Sequence, residues 1–211
     1  MRNSKEGMIS LDILLVTYNQ EQYIQQALDG ILMQRVNPDV QVRIVVADDC
    51  SRDNTLSLIT KTLGQKTNIA SGNSVDVVYL PAEKNLGIAA NYKRAIAATT
   101  GDYIAILEGD DYWISEMHIM QHVKFLEKNI ECSMSMNRIL STKLDGAFED
   151  IKPWRLEKAY YTINLQKQIM EGNQLGNLSA CCFRGKYVRQ LPQEIFNVHM
   201  DDFLLGIMMA M

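Results

Sequence analysis

The sequence contains few of the residues that would indicate a disulfide framework, a zinc site or a nucleic-acid-binding surface. Only four of its 211 residues are cysteine, and neither a CxxC pair nor a histidine at zinc-ligand spacing accompanies them, so we expect reduced thiols and no zinc site. Acidic residues outnumber basic ones by 25 to 21, which gives a net charge of −4. Because a dedicated nucleic-acid-binding protein normally has a basic surface, we expect no nucleic acid as a partner.

Long apolar runs are also missing from the sequence. No stretch of about 18 consecutive apolar residues occurs, and the first ten residues lack the continuous apolar segment of a signal peptide. We therefore predict a cytoplasmic protein. Peripheral association with the inner face of a membrane stays open, because such a contact needs no spanning helix.

Strand-like and helix-like segments alternate through the first half of the chain. Short apolar runs typical of buried strands lie at 9–16, 42–47, 75–80 and 103–107. Segments with apolar residues at helical spacing lie between them, at 22–33, 54–63 and 88–99. Because such alternation builds βαβ units, it predicts an α/β fold with a doubly wound, mainly parallel central sheet flanked by helices.

The second half of the chain is less regular. Helical patterns occur at 115–128, 163–170 and 185–191, and strand-like segments occur at 132–141 and 178–183. Polar stretches at 66–74 and 142–154 are predicted to be loops. No internal repeat or linker-like run interrupts the sequence, so we predict a single domain over residues 1–211.

The densest group of carboxylates follows the fourth predicted strand, at Glu108, Asp110 and Asp111. Three carboxylates within four residues repel one another unless a cation or a solvated loop separates them. Hard oxygen ligands of this kind suit Mg²⁺ or Mn²⁺, ions that commonly bridge to the phosphates of a substrate. The alternative is a solvated turn that caps the following helix.

Polar side chains also follow the first two predicted strands. Asp48 and Asp49 can accept hydrogen bonds from a nucleobase or a ribose, and the alternative is a turn that leads into a helix. Thr17, Tyr18 and Asn19 offer a hydroxyl group and an aromatic ring that can stack on a base. Each cluster lies at the carboxyl end of a strand, the edge at which open α/β sheets bind ligands.

Four blocks of the first 115 residues resemble the family 2 glycosyltransferases with the GT-A fold, in that family's order and spacing. These blocks are LLVTYN at 14–19, VVADDCSRDNT at 45–55, NLG at 85–87 with Asn91, and GDYI at 101–104 followed by EGDD at 108–111. The resemblance continues more faintly through 176–179 and 183–184 to 200–202. It implies an inverting glycosyltransferase of the hexosyltransferase type.

The resemblance also implies substrates. Such an enzyme moves a sugar from a nucleotide diphosphate donor, by default a UDP-sugar, to a hydroxyl group of a glycan or lipid-linked acceptor in glycan, capsule or lipopolysaccharide assembly. Residues 1–115 would then bind the nucleotide sugar, and residues 116–211 would form the acceptor side.

The resemblance carries a role to each matching residue. Thr17 and Tyr18 would line the nucleobase pocket, and Asp48 or Asp49 would accept a hydrogen bond from the base. Asp110 would contact the ribose and the metal, and Asp111 would bind the divalent ion, Mn²⁺ or Mg²⁺. The remaining residues assigned to nucleotide binding are Asn19, Asn85, Gly87 and Asn91. Glu108 stands where the family usually has the first aspartate of its metal-binding motif.

The general base is predicted to be Asp202, with Asp201 as the second candidate, at the start of a late helix. An acceptor hydroxyl is a poor nucleophile until a positioned carboxylate takes its proton. The alternative for this acidic pair is a helix N-terminus stabilised through the macrodipole. Because family members usually continue well beyond such a pair, whereas Met211 follows Asp202 by nine residues, we expect the acceptor side to be truncated.

Two other functions compete with this interpretation. A nucleotidyltransferase would carry a glycine-rich, basic loop after the first strand to hold a triphosphate, and this sequence has TYNQE at 17–21 instead. A non-catalytic sugar-nucleotide-binding module would keep the base pocket and lack a competent general base. His118 and His122 have metal-ligand spacing on a helix but no third ligand, so we place them on a solvated helix face.

Overall fold

The computed structural model describes residues 7–142, 147–150, 160, 162–172, 176–197 and 202–210. Its strands are β1 (Ile9–Thr17), β2 (Val40–Asp48), β3 (Lys66–Asn68), β4 (Ser74–Tyr79), β5 (Tyr103–Glu108), β6 (Met134–Met136), β7 (Leu140–Thr142), β8 (Phe148–Asp150) and β9 (Cys181–Arg184). Its α-helices are α1 (Ile24–Leu32), α2 (Thr55–Leu63), α3 (Ile88–Ala97), α4 (His118–Lys128), α5 (Leu165–Glu171), α6 (Gly185–Val188) and α7 (Asp202–Ala210).

Seven strands form the main sheet in the order β3-β4-β2-β1-β5-β9-β6. The four central strands, β4, β2, β1 and β5, run parallel, whereas β3 and β9 are antiparallel to their neighbours and β6 is antiparallel to β9. Strands β7 and β8 form a separate antiparallel pair. The predicted α/β fold with a mainly parallel sheet is thereby confirmed.

Apolar side chains from both faces of the sheet build two hydrophobic clusters. Leu11, Ile13 and Leu15 of β1 pack into one cluster with α1, α2 and α4. Leu14 and Val16 of the same strand pack into the other cluster with α3 and α7. Because successive strand residues point to opposite faces, an uninterrupted apolar run serves both layers. A fully buried leucine or isoleucine stabilises the fold by roughly 1.5–3 kcal/mol.

The structure differs from the sequence predictions mainly at the edges of the sheet. The predicted loop 66–74 contains β3, which pairs with β4. The strand-like segment 132–141 is divided into β6 and β7, which belong to different sheets. The predicted irregular stretch 142–154 contains β8. Short edge strands have little periodicity of their own, since their pairing partner and not their sequence defines them.

The prediction that His118 and His122 lie on a solvated helix face is wrong. Both side chains are buried, and they share a face of α4 with the buried residues Ile119, Val123 and Leu126. These positions form the buried stripe along one face of the helix, and two of them are occupied by histidine. The His118 ring stacks on Trp113 and meets the His122 ring edge to face.

Candidate active site

The register of the sheet brings the carboxyl ends of three central strands together. Thr17 of β1 lies opposite Asp48 of β2, and Val16 lies opposite Glu108 of β5. Two backbone bonds continue these ladders beyond the strands: Asp49 N–H donates to Thr17 C=O over 2.9 Å, and Gly109 N–H donates to Val16 C=O over 2.9 Å. The three polar clusters found in the sequence therefore form one continuous edge, as the crossover rule predicts.

The loop after β1 is fixed by the loop after β2. Asn19 has a left-handed backbone with φ of 52°, and its side-chain oxygen accepts from Arg52 N–H over 2.8 Å. Asn19 N–H donates to Ser51 Oγ over 2.9 Å, and Gln20 N–H donates to Thr55 Oγ1 over 2.7 Å. Asn19 thus joins two loops, whereas the neighbouring Tyr18 ring is 40% exposed at the surface where a planar base can stack.

Thr17 lies beneath the acidic loop. Its side chain is buried, and Oγ1 has no hydrogen-bond partner among the described residues. A Cβ atom on Gly109 would come within 2.9 Å of Thr17 Oγ1 and 2.5 Å of Gln20 Oε1. Glycine at position 109 therefore lets the acidic loop rest directly on the loop after β1.

Asp48 and Asp49 are both buried but bond to different loops. The carboxylate of Asp48 accepts from Ser51 N–H over 2.9 Å and from Ser51 Oγ over 2.5 Å. Each carboxylate oxygen of Asp49 accepts one backbone N–H, from Leu86 over 2.8 Å and from Gly87 over 2.9 Å. Asp49 thereby holds the NLG segment against the end of β2, with Asn85 exposed beside it.

Asn91 and Arg94 of α3 lie under the same edge of the sheet. Asn91 is 2% exposed. Its amide nitrogen donates to Ala47 C=O over 2.9 Å, and its oxygen accepts from Arg94 Nε over 2.8 Å. The Arg94 guanidinium also donates to the carbonyl groups of Asp48, Leu80 and Pro81. The structure therefore places Asn91 in the interior, where its side chain holds the backbone of β2.

Arg94 supports the site, although no role was assigned to this residue from the sequence. Its guanidinium ties the end of β2 to the segment after β4. The sequence feature that could have identified Arg94 is its position three residues after Asn91 in the helix that follows the NLG block, since residues three apart share a helix face. Arginine suits this role because its planar guanidinium carries five N–H donors in a fixed arrangement and can therefore bond to several carbonyl groups at once.

The three carboxylates of the acidic loop have separate environments. Glu108 accepts from the Tyr92 hydroxyl over 2.8 Å, and its side chain is half-buried. Asp110 is exposed, yet loss of hydration within the loop and, secondarily, the charge of Asp111 raise its pKa above the usual value. A divalent cation would oppose this shift, because positive charge favours the ionised carboxylate.

Asp111 is held by a distant segment of the chain. Its Oδ2 accepts from Asn177 Nδ2 over 2.8 Å and from Ser179 Oγ over 2.7 Å. The indole nitrogen of Trp113 donates to Ser179 C=O over 2.7 Å. These bonds attach the segment just before β9 to the acidic loop. The fainter resemblance at 176–179 assigned no role to these residues.

The residues present fit a divalent ion that arrives with a diphosphate. The described part of the chain contains no group of three or more metal-ligating side chains that could hold an ion by itself. Mg²⁺ and Mn²⁺ are commonly bound through one or two carboxylates, with waters and substrate phosphates completing the coordination. Asp111, with Asp110 beside it, supplies this smaller set.

The two candidate general bases are only partly covered by the structure. Asp202 is the first residue of α7, and its backbone alone is described. Asp201 lies outside the described residues. None of the described helices is long and apolar enough to cross a membrane.

The fold and the candidate site together define a class: an α/β domain with polar clusters at the carboxyl edge of a parallel sheet, among them the acidic loop after β5. A family model, Glycosyl transferase family 2, matches residues 12–187. The chain belongs to this family.

Curated relatives agree with this assignment. An uncharacterized protein of Mycobacterium tuberculosis is 31% identical over 148 residues, which cover 69% of this chain and 40% of that protein. Chondroitin synthase of Pasteurella multocida is 30% identical over 129 residues, which cover 61% of this chain and 12% of that protein. The chain thus spans less than half the length of these relatives.

Solved structures support the fold. The crystal structure of S. aureus TarS residues 1–349 in complex with UDP superposes with a TM-score of 0.65 and 18% identity, and covers 96% of this chain and 55% of that one. The complex of the same protein with UDP-GlcNAc gives a TM-score of 0.63 and 20% identity over the same 96% of this chain and 53% of that one. At this identity the likeness concerns the fold.

Proposed function

We propose that this chain is the catalytic domain of an inverting, metal-dependent glycosyltransferase that transfers a sugar from a nucleotide diphosphate donor to a hydroxyl group of an acceptor. One observation carries the proposal: the loops after β1, β2 and β5 meet at one edge of the sheet, and the loop after β5 brings Asp111 to that edge. The family to which the chain belongs supports it. Residues 1–115 hold the donor in this account, and residues 116–211 face the acceptor.

The donor in this proposal is a UDP-sugar. Two solved complexes that share the fold contain UDP or UDP-GlcNAc, and the exposed Tyr18 ring offers a stacking surface for a pyrimidine. Asp48, or Asp49 in its place, accepts a hydrogen bond from the base, since Asp48 lies opposite Thr17 at the same edge and Asp49 follows it. Asp49 and the loop it holds, with Gly87, close the side of the pocket.

A divalent ion, Mn²⁺ or Mg²⁺, would supply charge neutralisation of the departing nucleotide diphosphate. Asp111 and Asp110 would hold it. Asp202, or Asp201 in its place, would take the proton from the acceptor hydroxyl as the anomeric carbon is attacked. A single in-line displacement of this kind inverts the anomeric configuration.

The acceptor in this proposal is a glycan or a lipid-linked glycan, reached in the cytoplasm or at the inner face of a membrane. The relative named chondroitin synthase, a polysaccharide synthase by its name, favours a growing glycan. A nucleotidyltransferase is disfavoured by the loop after β1, because residues 17–21 contain no glycine to cradle a triphosphate.

The division of roles is tested with Asp202→Asn. We expect this variant to bind UDP in the presence of Mn²⁺ as the unaltered protein does, and to lose most transfer or hydrolysis of a UDP-sugar, by about 10²–10⁴-fold. Calorimetry gives the first quantity and release of UDP gives the second. Equal loss of UDP affinity in Asp202→Asn and Asp111→Asn would contradict the assignment. Binding without any turnover in the unaltered protein would favour a non-catalytic module.

A further inference from the structure

Two side chains from a segment far along the chain bond to the carboxylate of Asp111. Asn177 and Ser179 are 66 and 68 residues away in sequence, and both donate to Oδ2. They flank Leu178 in the segment that enters a 3₁₀ turn, Leu178–Ala180, just before β9. Strand β9 pairs directly with β5, which carries the acidic loop at its end, so the sheet itself brings this segment to the site.

The hydrogen-bond directions in this group are determined by its neighbours. Ser179 Oγ accepts from Glu108 N–H over 3.0 Å, so the single proton of this hydroxyl group is directed to Asp111. Asn177 Oδ1 accepts from Ser179 N–H over 2.5 Å, so the nitrogen end of the amide is the end that faces Asp111. Within the described residues, both hydrogen bonds of the Asp111 carboxylate end on Oδ2, and none ends on Oδ1.

The same segment is itself held rigidly. Ser179 is 6% exposed, and its carbonyl oxygen accepts from Trp113 Nε1. Trp113 is buried and stacks on His118, with 4.5 Å between the ring centroids. The carboxylate of Asp111 is thus oriented by groups that are already fixed when no ligand is present, which lowers the entropic cost of binding.

We infer that Asn177 and Ser179 are positioning residues: they hold Asp111 Oδ2 so that Oδ1 faces the divalent ion that accompanies the donor diphosphate. The inference rests on the metal-dependent function proposed above and assigns to this segment a role in metal affinity. Outer partners that orient a metal-ligating carboxylate typically change metal affinity by 10–100-fold when they are removed.

The test measures Mn²⁺ affinity at saturating UDP by the loss of the free Mn²⁺ electron-paramagnetic-resonance signal. Ser179→Ala should weaken Mn²⁺ binding by about 10-fold or more, while UDP affinity without metal stays within about twofold. Ser179→Thr, which keeps the hydroxyl group, should restore Mn²⁺ affinity. Asn177→Ala, at a half-buried position where loss of the side chain is easier to accommodate, should weaken Mn²⁺ binding in the same way.

A closely matched control exists at the opposite end of the sheet. Ser10 Oγ donates to Asp102 Oδ2 over 2.9 Å and accepts from Asp102 N–H over 3.0 Å. Like Ser179 Oγ, it therefore accepts from one backbone N–H and donates to one aspartate, although both of its bonds go to the same residue. Ser10→Ala should leave Mn²⁺ affinity unchanged. Unchanged Mn²⁺ affinity in folded Ser179→Ala and Asn177→Ala, or an equal loss in Ser10→Ala, would overturn the inference. Failure of the unaltered protein to bind Mn²⁺ with UDP would instead overturn the proposed function.

Discussion

Asp48 and Asp49 are adjacent in sequence, yet the structure gives their carboxylates different surroundings. Asp48 bonds to Ser51 within its own turn, whereas Asp49 bonds to the backbone of Leu86 and Gly87. The sequence could identify the pair but not divide its roles, because both residues follow the same predicted strand, 42–47. The division depends on where a loop 37 residues away is placed.

Asp49→Ala should destabilise the fold. It removes the buried carboxylate that accepts from Leu86 N–H and Gly87 N–H, and a hydrogen bond to a charged group contributes about 1.5–3 kcal/mol. Urea denaturation should therefore show a loss of about 2 kcal/mol or more in the free energy of unfolding.

The control for Asp49→Ala is Asp76→Ala. Asp76 is an exposed aspartate that pairs with the exposed Lys66 over 3.2 Å, so its removal should change the free energy of unfolding by about 1 kcal/mol at most. Equal losses in the two variants would contradict the view that Asp49 holds the loop.

The partners of Asn91 and Arg94 could not be predicted from the sequence. The role of the NLG block and Asn91 in nucleotide binding stays a prediction, and the structure places Asn91 and Arg94 under the edge of the sheet that carries the candidate site. Their partners are backbone carbonyl groups of other strands. A sequence names no partner for a buried amide or guanidinium, because such bonds arise only once the tertiary fold is formed.

Helix α4 combines an apolar stripe with two buried histidines. Burial lowers the pKa of His118 from 6.5 to about 4, and burial with the nearby His118 charge holds the pKa of His122 well below its usual value. The groups that face His118 are the Trp113 ring, the His122 ring and the Asn137 amide. Both imidazoles are therefore neutral at pH 7.

The stability of the protein should consequently fall in acid. Between pH 6.5 and about 4 the unfolded state binds a proton on His118 that the folded state does not. The free energy of unfolding therefore decreases as the pH is lowered through this window, by on the order of 3 kcal/mol for this residue. His118→Phe, which keeps a ring against Trp113, should reduce the slope of stability against pH. An unchanged slope in that variant would show that His118 titrates normally.

The opposite end of the sheet contains a buried ion pair between neighbouring strands. Asp12 of β1 is 2% exposed and accepts from Arg43 Nε and Nη2 of β2, each over 2.8 Å. The same carboxylate accepts from the backbone N–H groups of Thr100 and Gly101. It thus fastens the loop before β5 to the amino ends of β1 and β2.

Asp12→Ala should be among the more destabilising substitutions in β1. It leaves the Arg43 guanidinium and two backbone donors without their carboxylate, and removal of one partner of a buried pair costs roughly 3–5 kcal/mol. Thermal or urea unfolding measures the loss. Asp12 lies toward the amino end of β1, whereas the candidate site lies at its carboxyl end, where Thr17 is opposite Asp48 of β2. The UDP affinity of the folded variant should therefore stay unchanged. A selective loss of UDP affinity would contradict this separation of stability from binding.

At the scale of the whole molecule, the sequence predicted the parallel centre of the sheet more accurately than its short strands. Long apolar runs and 3.6-residue periodicity are local signals, so β1, β2, β4 and β5 and the helices between them were predicted correctly. Strands β3, β6 and β8 have three residues each. Their existence depends on a neighbour that supplies hydrogen bonds, which no local pattern encodes.

In the candidate site, too, the features with a local sequence signal were easier to predict than those that depend on distant partners. Its centre could be predicted because the acidic and polar clusters immediately follow buried strands. Its supports, Asn177, Ser179 and Arg94, come from elements distant in sequence, and only the folded sheet brings them to Asp111 and Asp48. Prediction from sequence therefore identified the groups proposed to meet the ligand better than the groups that hold them.

The central claim is that Asp111 binds a divalent ion together with a nucleoside diphosphate at the carboxyl edge of the sheet. Calorimetric titration of UDP with and without Mn²⁺ tests it directly, in the unaltered protein, in Asp111→Asn and in the exposed control Asp76→Asn. We predict that Mn²⁺ tightens UDP binding by about tenfold or more, about 1.4 kcal/mol, in the unaltered protein and the control. Asp111→Asn should lose this gain while it stays folded. Equal UDP affinity with and without Mn²⁺ in the unaltered protein, or a full Mn²⁺ effect in Asp111→Asn, would contradict the claim.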